Sequence, residues 1–291
     1  MSSYSRRTLL KAGVAAGALA GVGLPLHAEP AKATDWVTLG KSGVKVTRLA
    51  LGTGTFGGRA QQQIGQEEFT RVVRYAYDRG IRFFETAESY GQSQQMLAVA
   101  LKGIPRESYR LMSKVVTEYS GDPQVKLDEL RRNSDTEYFD IMLMHNQHTT
   151  TWPTDTRHWQ DAILAAEEKK TIISHGASVH GLPGLRQVPG TEWMQIAMIR
   201  MNHKGTRMDA EQWQSSAGDV NEVVKQMKMA KAAGMGVISM KLIGEGVFDH
   251  EDRQKAMRFA FREAGVDAVT VGYKNTAEVD EAIDNLNLAL A

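Results

Sequence analysis

Phe83–Gly91 reads F-F-E-T-A-E-S-Y-G and follows Gly80-Ile81-Arg82. Two aromatic residues run into a carboxylate at Glu85, and a phenol arrives five residues later at Tyr90. An apolar strand that ends on an acid is either an acidic turn or one wall of a polar site. Recurrence separates the two. Leu111-Met112-Ser113 runs into Lys114, Ile141–Met144 into His145, and Gly236–Met240 into Lys241. The switch from apolar to ionisable therefore falls at the same end of several strands, where one site can collect all of them.

Outward from this stretch the chain keeps a regular alternation. Apolar runs that read as buried strands occupy Arg48–Leu51, Arg82–Glu85, Leu111–Lys114, Ile141–His145, Ile172–Ala177, Ile196–Met201, Gly236–Met240 and Ala268–Val271. Helical patterns lie between most of them. Glu67–Arg79 sets Phe69, Val72, Val73, Ala76 and Tyr77 on one face. Gln94–Lys102, Thr156–Lys169, Val220–Ala233, Glu251–Glu263 and Ala277–Ala289 behave alike, while the connections around 124–133 and 182–188 are poorly marked. Strands apolar on both faces, each followed by a helix, imply a parallel sheet covered by helices. Eight such units in one α/β domain predict a closed (β/α)8 TIM barrel. Before it, Trp36–Leu39 and Val44–Thr47 flank Gly40-Lys-Ser-Gly43 as a β-hairpin. An open doubly wound sheet is the alternative, but it would place a helix directly after a G-x-G-x-x-G turn. Leu51-Gly-Thr-Gly-Thr-Phe-Gly-Gly is followed by polar residues instead.

The first 33 residues differ in kind. Ser5-Arg6-Arg7-Thr8-Leu9-Leu10-Lys11 precedes an uncharged Ala/Gly/Val/Leu run over Ala12–Leu24. Small residues follow, with cleavage expected after Ala28 or Ala33. This order predicts a twin-arginine signal peptide over 1–33, export to the periplasm, and a barrel domain over 34–291. The run is short for a membrane span. Loss of residues 1–28 removes Arg6, Arg7 and Lys11 and turns the formal charge from +1 to −2. With no basic tract, nucleic acid is not an expected partner. The chain has no cysteine, so thiolate metal sites, iron–sulfur ligation and cysteine nucleophiles are excluded.

In a barrel of this kind chemistry belongs to the C-terminal strand ends. These read Gly52-Thr53-Gly54, Glu85 with Tyr90, Lys114, His145, Gly176-Ala-Ser178-Val-His180, Met201-Asn202-His203, Met240-Lys241 and Gly272-Tyr273-Lys274. The fragments E-T-A-E-S-Y-G, Ser113-Lys114-Val115, Asp140–His145 and Gly176-Ala-Ser178-Val resemble the successive motifs of the aldo/keto reductase superfamily. Leu39-Gly40…Gly52-Thr-Gly54-Thr-Phe-Gly57 is similar to its opening. The likeness spans about residues 37–290.

That resemblance implies reduction of a small carbonyl substrate (aldehyde, ketone or quinone-like) by NADPH or NADH. It implies Tyr90 as proton donor and Lys114 as the cation that lowers the phenol pKa. Glu85 would pair with Lys114, and His145 would orient the substrate oxygen. Gly52, Thr53, Ser178, Lys241, Gly272 and Lys274 are the residues it implies for the cofactor. Several positions depart from the pattern: Glu85 replaces Asp, Val179 replaces Asn, and Met198, Met240 and Met201 stand at frequent Gln, aromatic and Tyr positions. Glu278 and Ala282 stand where Arg and Asn often hold the adenosine end. A cofactor-binding barrel with little turnover is therefore a second reading. A metal-dependent hydrolase using His145, His148, His180 and His203 is a third, although no metal is expected. Trp152, Trp159 and Trp213 are candidates for a pocket wall, and 203–219 for a flap.

Overall fold

The computed structural model describes residues 30–212 and 217–291. Its strands are β1 Trp36–Thr38, β2 Lys45–Thr47, β3 Leu49–Gly52, β4 Phe83–Glu85, β5 Arg110–Val115, β6 Ile141–Gln147, β7 His175–Val179, β8 Ile196–Arg200, β9 Gly236–Met240 and β10 Ala268–Val271. β3 to β10 close into one parallel barrel, in which β10 pairs with β3 by Val269 opposite Leu49 and Val271 opposite Leu51. β1 and β2 form an antiparallel hairpin with Trp36 opposite Thr47. The fold is the (β/α)8 barrel with an N-terminal hairpin that the alternating pattern predicts.

The helices are α1 Arg59–Gln63, α2 Gly65–Asp78, α3 Ser93–Leu101, α4 Pro123–Asn133, α5 Trp152–Asp155, α6 Arg157–Glu168, α7 Leu182–Leu185, α8 Val220–Ala232, α9 His250–Arg258 and α10 Thr276–Leu290. α2 buries Phe69, Val72, Val73 and Ala76, a three–four spacing that gives one apolar stripe. α4 starts where the sequence leaves a weak apolar signal but a strong cap: the Asp122 side chain accepts the Gln124 N–H at 2.9 Å, with Pro123 in the first turn.

Alternation along each strand divides the core into two. Ala50, Phe83, Met112, Ile141, Ile196 and Ile238 face the barrel axis, joined by Leu39, Val44 and Val46 of the hairpin, which closes the N-terminal end of the barrel. Phe84, Leu111 and Met142 face the helices. The opposite end stays open, and polar side chains gather there.

Several boundaries differ from the sequence reading. β7 begins at His175, not Ile172, because Lys170 turns the chain through φ 58° and Ile173 stays 46% exposed. β8 ends on Arg200, before Met201. β6 continues past His145 to Gln147 through a register shift between Met144 and Gln147, with Asn146 at φ 58°. The helix expected over Glu251–Glu263 is α9 followed by a π turn over Phe259–Ala264.

The expected signal peptide lies, through residue 29, outside the described residues. Ala33 belongs to the packed body: it is fully buried, its N–H donates to Asn287 Oδ1 at 2.8 Å, and its carbonyl accepts the Leu49 N–H at 2.9 Å. No helix among the described residues is long and apolar enough to cross a membrane.

Candidate active site

Strand geometry brings the acid and the lysine together. On β4 the inward positions are Phe83 and Glu85, and on β5 they are Met112 and Lys114. Both ionisable groups are buried, Lys114 completely. Burial of an isolated ammonium is strongly unfavourable, so its three protons must each find an acceptor. They do: Lys114 Nζ is ion-paired with Glu85 Oε1, donates to Thr86 O at 3.0 Å, and donates to Tyr90 Oη at 3.1 Å. The second oxygen of Glu85 accepts Thr270 Oγ1–H at 3.1 Å. Its extra methylene relative to Asp therefore lets one carboxylate reach the partner on β5 and the hydroxyl on β10 together.

Tyr90 comes from the loop after β4. Gln62 Nε2 donates to its carbonyl at 2.9 Å, and its ring meets His145 edge-on at 5.5 Å and 82°. Gly54 makes room for it: a Cβ there would lie 2.6 Å from Tyr90 Oη. Gly54→Ala is expected to lower kcat/KM by about a hundredfold with little loss of thermal stability, since a displacement near 1 Å can have that effect. Wild-type kcat/KM in Gly54→Ala would show that the phenol position is not critical.

Burial sets the electrostatics of the cluster. Burial pushes the Tyr90 phenol well up, and the Glu85 charge adds to it, with Arg200 opposing. Lys114 donates to the phenol but is held at contact distance by Glu85, and the net shift stays upward. Burial lowers Lys114 itself, against the Glu85 charge. His145 is held well below the usual imidazole range by burial first, then by Lys114, Lys241 and Arg200. Neutral phenol and neutral imidazole therefore coexist near pH 7 beside the Glu85–Lys114 pair. Ser89 Oγ lies 3.1 Å from His145 Nδ1.

The expected cofactor residues divide. Lys241 and Gly272 line the mouth, and Gly272 and Lys274 line a cleft of about 250 Å³ that continues outward past Thr55, Gln61 and Tyr273. Gly52 also lines the mouth, but its missing side chain leaves space for Glu85, whose Oε2 would sit 2.8 Å from a Cβ. Thr53 is not at the mouth: it is fully buried, and its N–H donates to Glu85 O at 3.1 Å. Alternation sends its side chain to the wall, since Gly52 takes the inward position. Ser178 is buried, 3.4 Å from His180 Nε2 and 3.9 Å from Met240 Sδ.

Other candidates fall elsewhere. Trp152 and Trp159 are core residues, their indoles donating to Gly184 O and Thr117 O. Trp213 lies outside the described residues. His203 stands 3.6 Å from Asp252 and packs on Phe248. Among the described residues no group of three or more His, Asp or Glu side chains is arranged to hold a metal.

Two residues at the mouth escape a reading of polar strand ends. Arg200 is inward by alternation from Ile196 and Met198, a period-2 signal present in the sequence. Glu245 sits in a left-handed stretch (φ 58°) where Lys241, Arg207 and the Phe56 N–H converge on its carboxylate. That convergence is an anion cradle. Beside it, Gln61 Oε1 and Tyr273 Oη are buried with no hydrogen-bond partner among the described residues. Such orphaned groups fit an elongated polar ligand in the cleft, and a nicotinamide dinucleotide is one of suitable length and charge.

Comparison with known proteins agrees with this layout. A soybean (Glycine max) protein named "Probable aldo-keto reductase 1" is 26% identical over 225 residues, 73% of this chain and 60% of its own length. The chain thus spans less than two thirds of that relative. An aldo-keto reductase of Klebsiella pneumoniae, solved in complex with NADPH, superposes with a TM-score of 0.68 at 16% identity over 90% of this chain and 92% of that one. A holo-form aldo-keto reductase of Bacillus halodurans gives 0.67 at 16% over 87% and 90%. The sequence profile of the aldo/keto reductase family matches residues 48–257, and the chain belongs to that family.

Proposed function

We propose that the protein reduces a carbonyl compound with NADPH or NADH, Tyr90 giving the proton to the carbonyl oxygen. The observation that carries this reading is the 3.1 Å contact of Tyr90 Oη with a fully buried, fully bonded Lys114 at the barrel mouth. The nicotinamide, when bound, supplies a hydride to the carbonyl carbon. The chain supplies the rest. Tyr90 is held protonated and so is an acid in waiting. As its proton leaves, the developing phenolate meets the Lys114 N–H already aimed at it, which stabilises that charge without rearrangement. Glu85 keeps Lys114 in place. With Ser89 Oγ–H donating to Nδ1, neutral His145 carries its proton on Nε2 and orients the substrate oxygen. Lys241 and Arg207 are the candidates for the cofactor diphosphate, and Lys274 and Arg253 for its adenosine end, beside Glu278 and Glu281.

The test is carbonyl-dependent oxidation of NADPH and of NADH, with the alcohol product identified, across an aldehyde, a ketone and a quinone. Cofactor binding without consumption of any would favour the low-turnover reading, for which Met198 and Met240 lining the mouth beside Lys241 are the supporting observation. We also propose export through the twin-arginine machinery with cleavage after Ala28, because a cut after Ala33 would remove two hydrogen bonds that fasten the chain to the barrel. The exported protein is then expected to begin at Glu29, and Arg6→Lys with Arg7→Lys to retain it in the cytoplasm. A mature N-terminus at Thr34 would reject this cleavage.

A further inference from the structure

Four cations and three carboxylates surround the barrel mouth. Lys114 is matched by Glu85 and Lys241 by Glu245, each pair in direct contact. Glu245 also takes Arg207, at 3.2 Å. Arg200 is the least satisfied. Its Nε stands 3.7 Å from Asp209 Oδ1, too far for a hydrogen bond, and that oxygen accepts the Gly181 N–H at 2.7 Å. Arg200 Nε and Asp209 Oδ2 are both buried without a hydrogen-bond partner among the described residues. Burial also pushes the Asp209 carboxyl up to about 6, so the opposing charge is weakly held.

Among the described residues the one hydrogen-bond partner of the guanidinium is His180, whose Nδ1 meets Arg200 Nη2. A guanidinium cannot accept a hydrogen bond, so His180 Nδ1 is the acceptor and Nε2 carries the proton. His180 lies edge-on to His145 at 5.8 Å, and His145 edge-on to Tyr90 at 5.5 Å. Tyr90, His145, His180 and Arg200 thus form a row across the mouth, with the proton donor at one end and an under-bonded cation at the other.

We propose that Arg200 is an anion subsite that reads an acidic group on the substrate. The preferred substrates are carbonyl compounds carrying a carboxylate a few atoms from the carbonyl. This rests on the carbonyl-reductase reading above. A cofactor diphosphate is the other source of an anion at this place, and the experiment separates the two.

The measurement is kcat/KM for 4-carboxybenzaldehyde and for its neutral isostere 4-carbamoylbenzaldehyde, in wild type, Arg200→Gln, Arg200→Lys and the charge-balanced Arg200→Gln/Asp209→Asn. Wild type is expected to prefer the acid by about thirtyfold to a hundredfold, the scale of a charge-assisted bidentate contact. The ratio should fall to about one to three in both Gln variants through KM, and to an intermediate value in Arg200→Lys, which keeps the charge but loses the fork. The double variant leaves no buried carboxylate without its cation, so a folding failure of the single variant does not end the test. A wild-type ratio near one, or a ratio unchanged in the variants, overturns the subsite. So does a selective rise in the NADPH Kd with the ratio intact, which would give Arg200 to the diphosphate. If no carbonyl consumes NADPH or NADH, the reductase reading fails, and benzoate titration of the cofactor-free protein decides the subsite alone. Benzoate binding lost in the double variant supports it, and equal binding overturns it.

Discussion

Tyr90→Phe is expected to lower kcat for carbonyl reduction by about a thousandfold, within the range for loss of a positioned general acid. The NADPH Kd, followed by fluorescence, should stay within about twofold. The substitution removes one oxygen and leaves the ring edge-on to His145. Lys114 loses one of three acceptors but keeps Glu85 and Thr86. The loss should therefore appear in the chemical step and not in the fold. The pH dependence carries a second signature. Because burial and Glu85 raise the phenol above its ordinary value of 10, the acid form persists through neutral and mildly alkaline solution. The reductive rate should show no limb from Tyr90 below pH 10, and none from His145 at 6.5, since that group is held well lower. Retention of more than a tenth of wild-type kcat in Tyr90→Phe would remove Tyr90 as the proton donor.

Lys114→Met should be the most destabilising single change at the site. It removes the cation and leaves Glu85 buried, with only Thr270 as a donor to its side chain among the described residues. Breaking a buried pair from one side typically destabilises by about 3–5 kcal/mol. For a chain of this size that corresponds to a melting temperature lower by roughly 6–20 °C. The companion change tests the cause. Lys114→Met with Glu85→Gln removes both charges, so it should recover most of the lost stability while remaining inactive. If the double variant is no more stable than Lys114→Met alone, an uncompensated carboxylate is not the origin of the loss. A shift under 2 °C in the single variant would mean that water already reaches the pair.

Much of the site was legible because it depends on short-range alternation. Glu85, Lys114 and His145 each stand two residues after an inward apolar residue, and the strands that carry them are neighbours. Tyr90 follows from a loop too short to carry it far from its strand. Arg200 went unread because Met201-Asn202-His203 drew the strand end outward, although alternation from Ile196 and Met198 marks it. Thr53 is buried, with Gly52 at the inward position beside it. The sign of the Tyr90 shift was not legible at all. It depends on how far burial of the phenol outweighs the neighbouring cations, and only the packed structure decides that. Trp152 and Trp159 have helical positions consistent with either surface or core, and their indole partners on distant carbonyls settle it.

The seam between β3 and β10 sets a temporal order for the molecule. Leu49 and Val269 are partners across one hydrogen-bonded edge, yet 219 residues of chain lie between them. Long-range closure of this kind is slow, and until it happens two strand edges stand unpaired. A ribosome must release nearly all of the polypeptide before the ring can shut. A chain cut before Ala268 would keep every residue of the Glu85–Lys114–Tyr90 cluster and still expose a sticky edge at β3. Chaperone dependence and aggregation during synthesis should therefore be governed by the arrival of β10, which lies far in sequence from the chemistry.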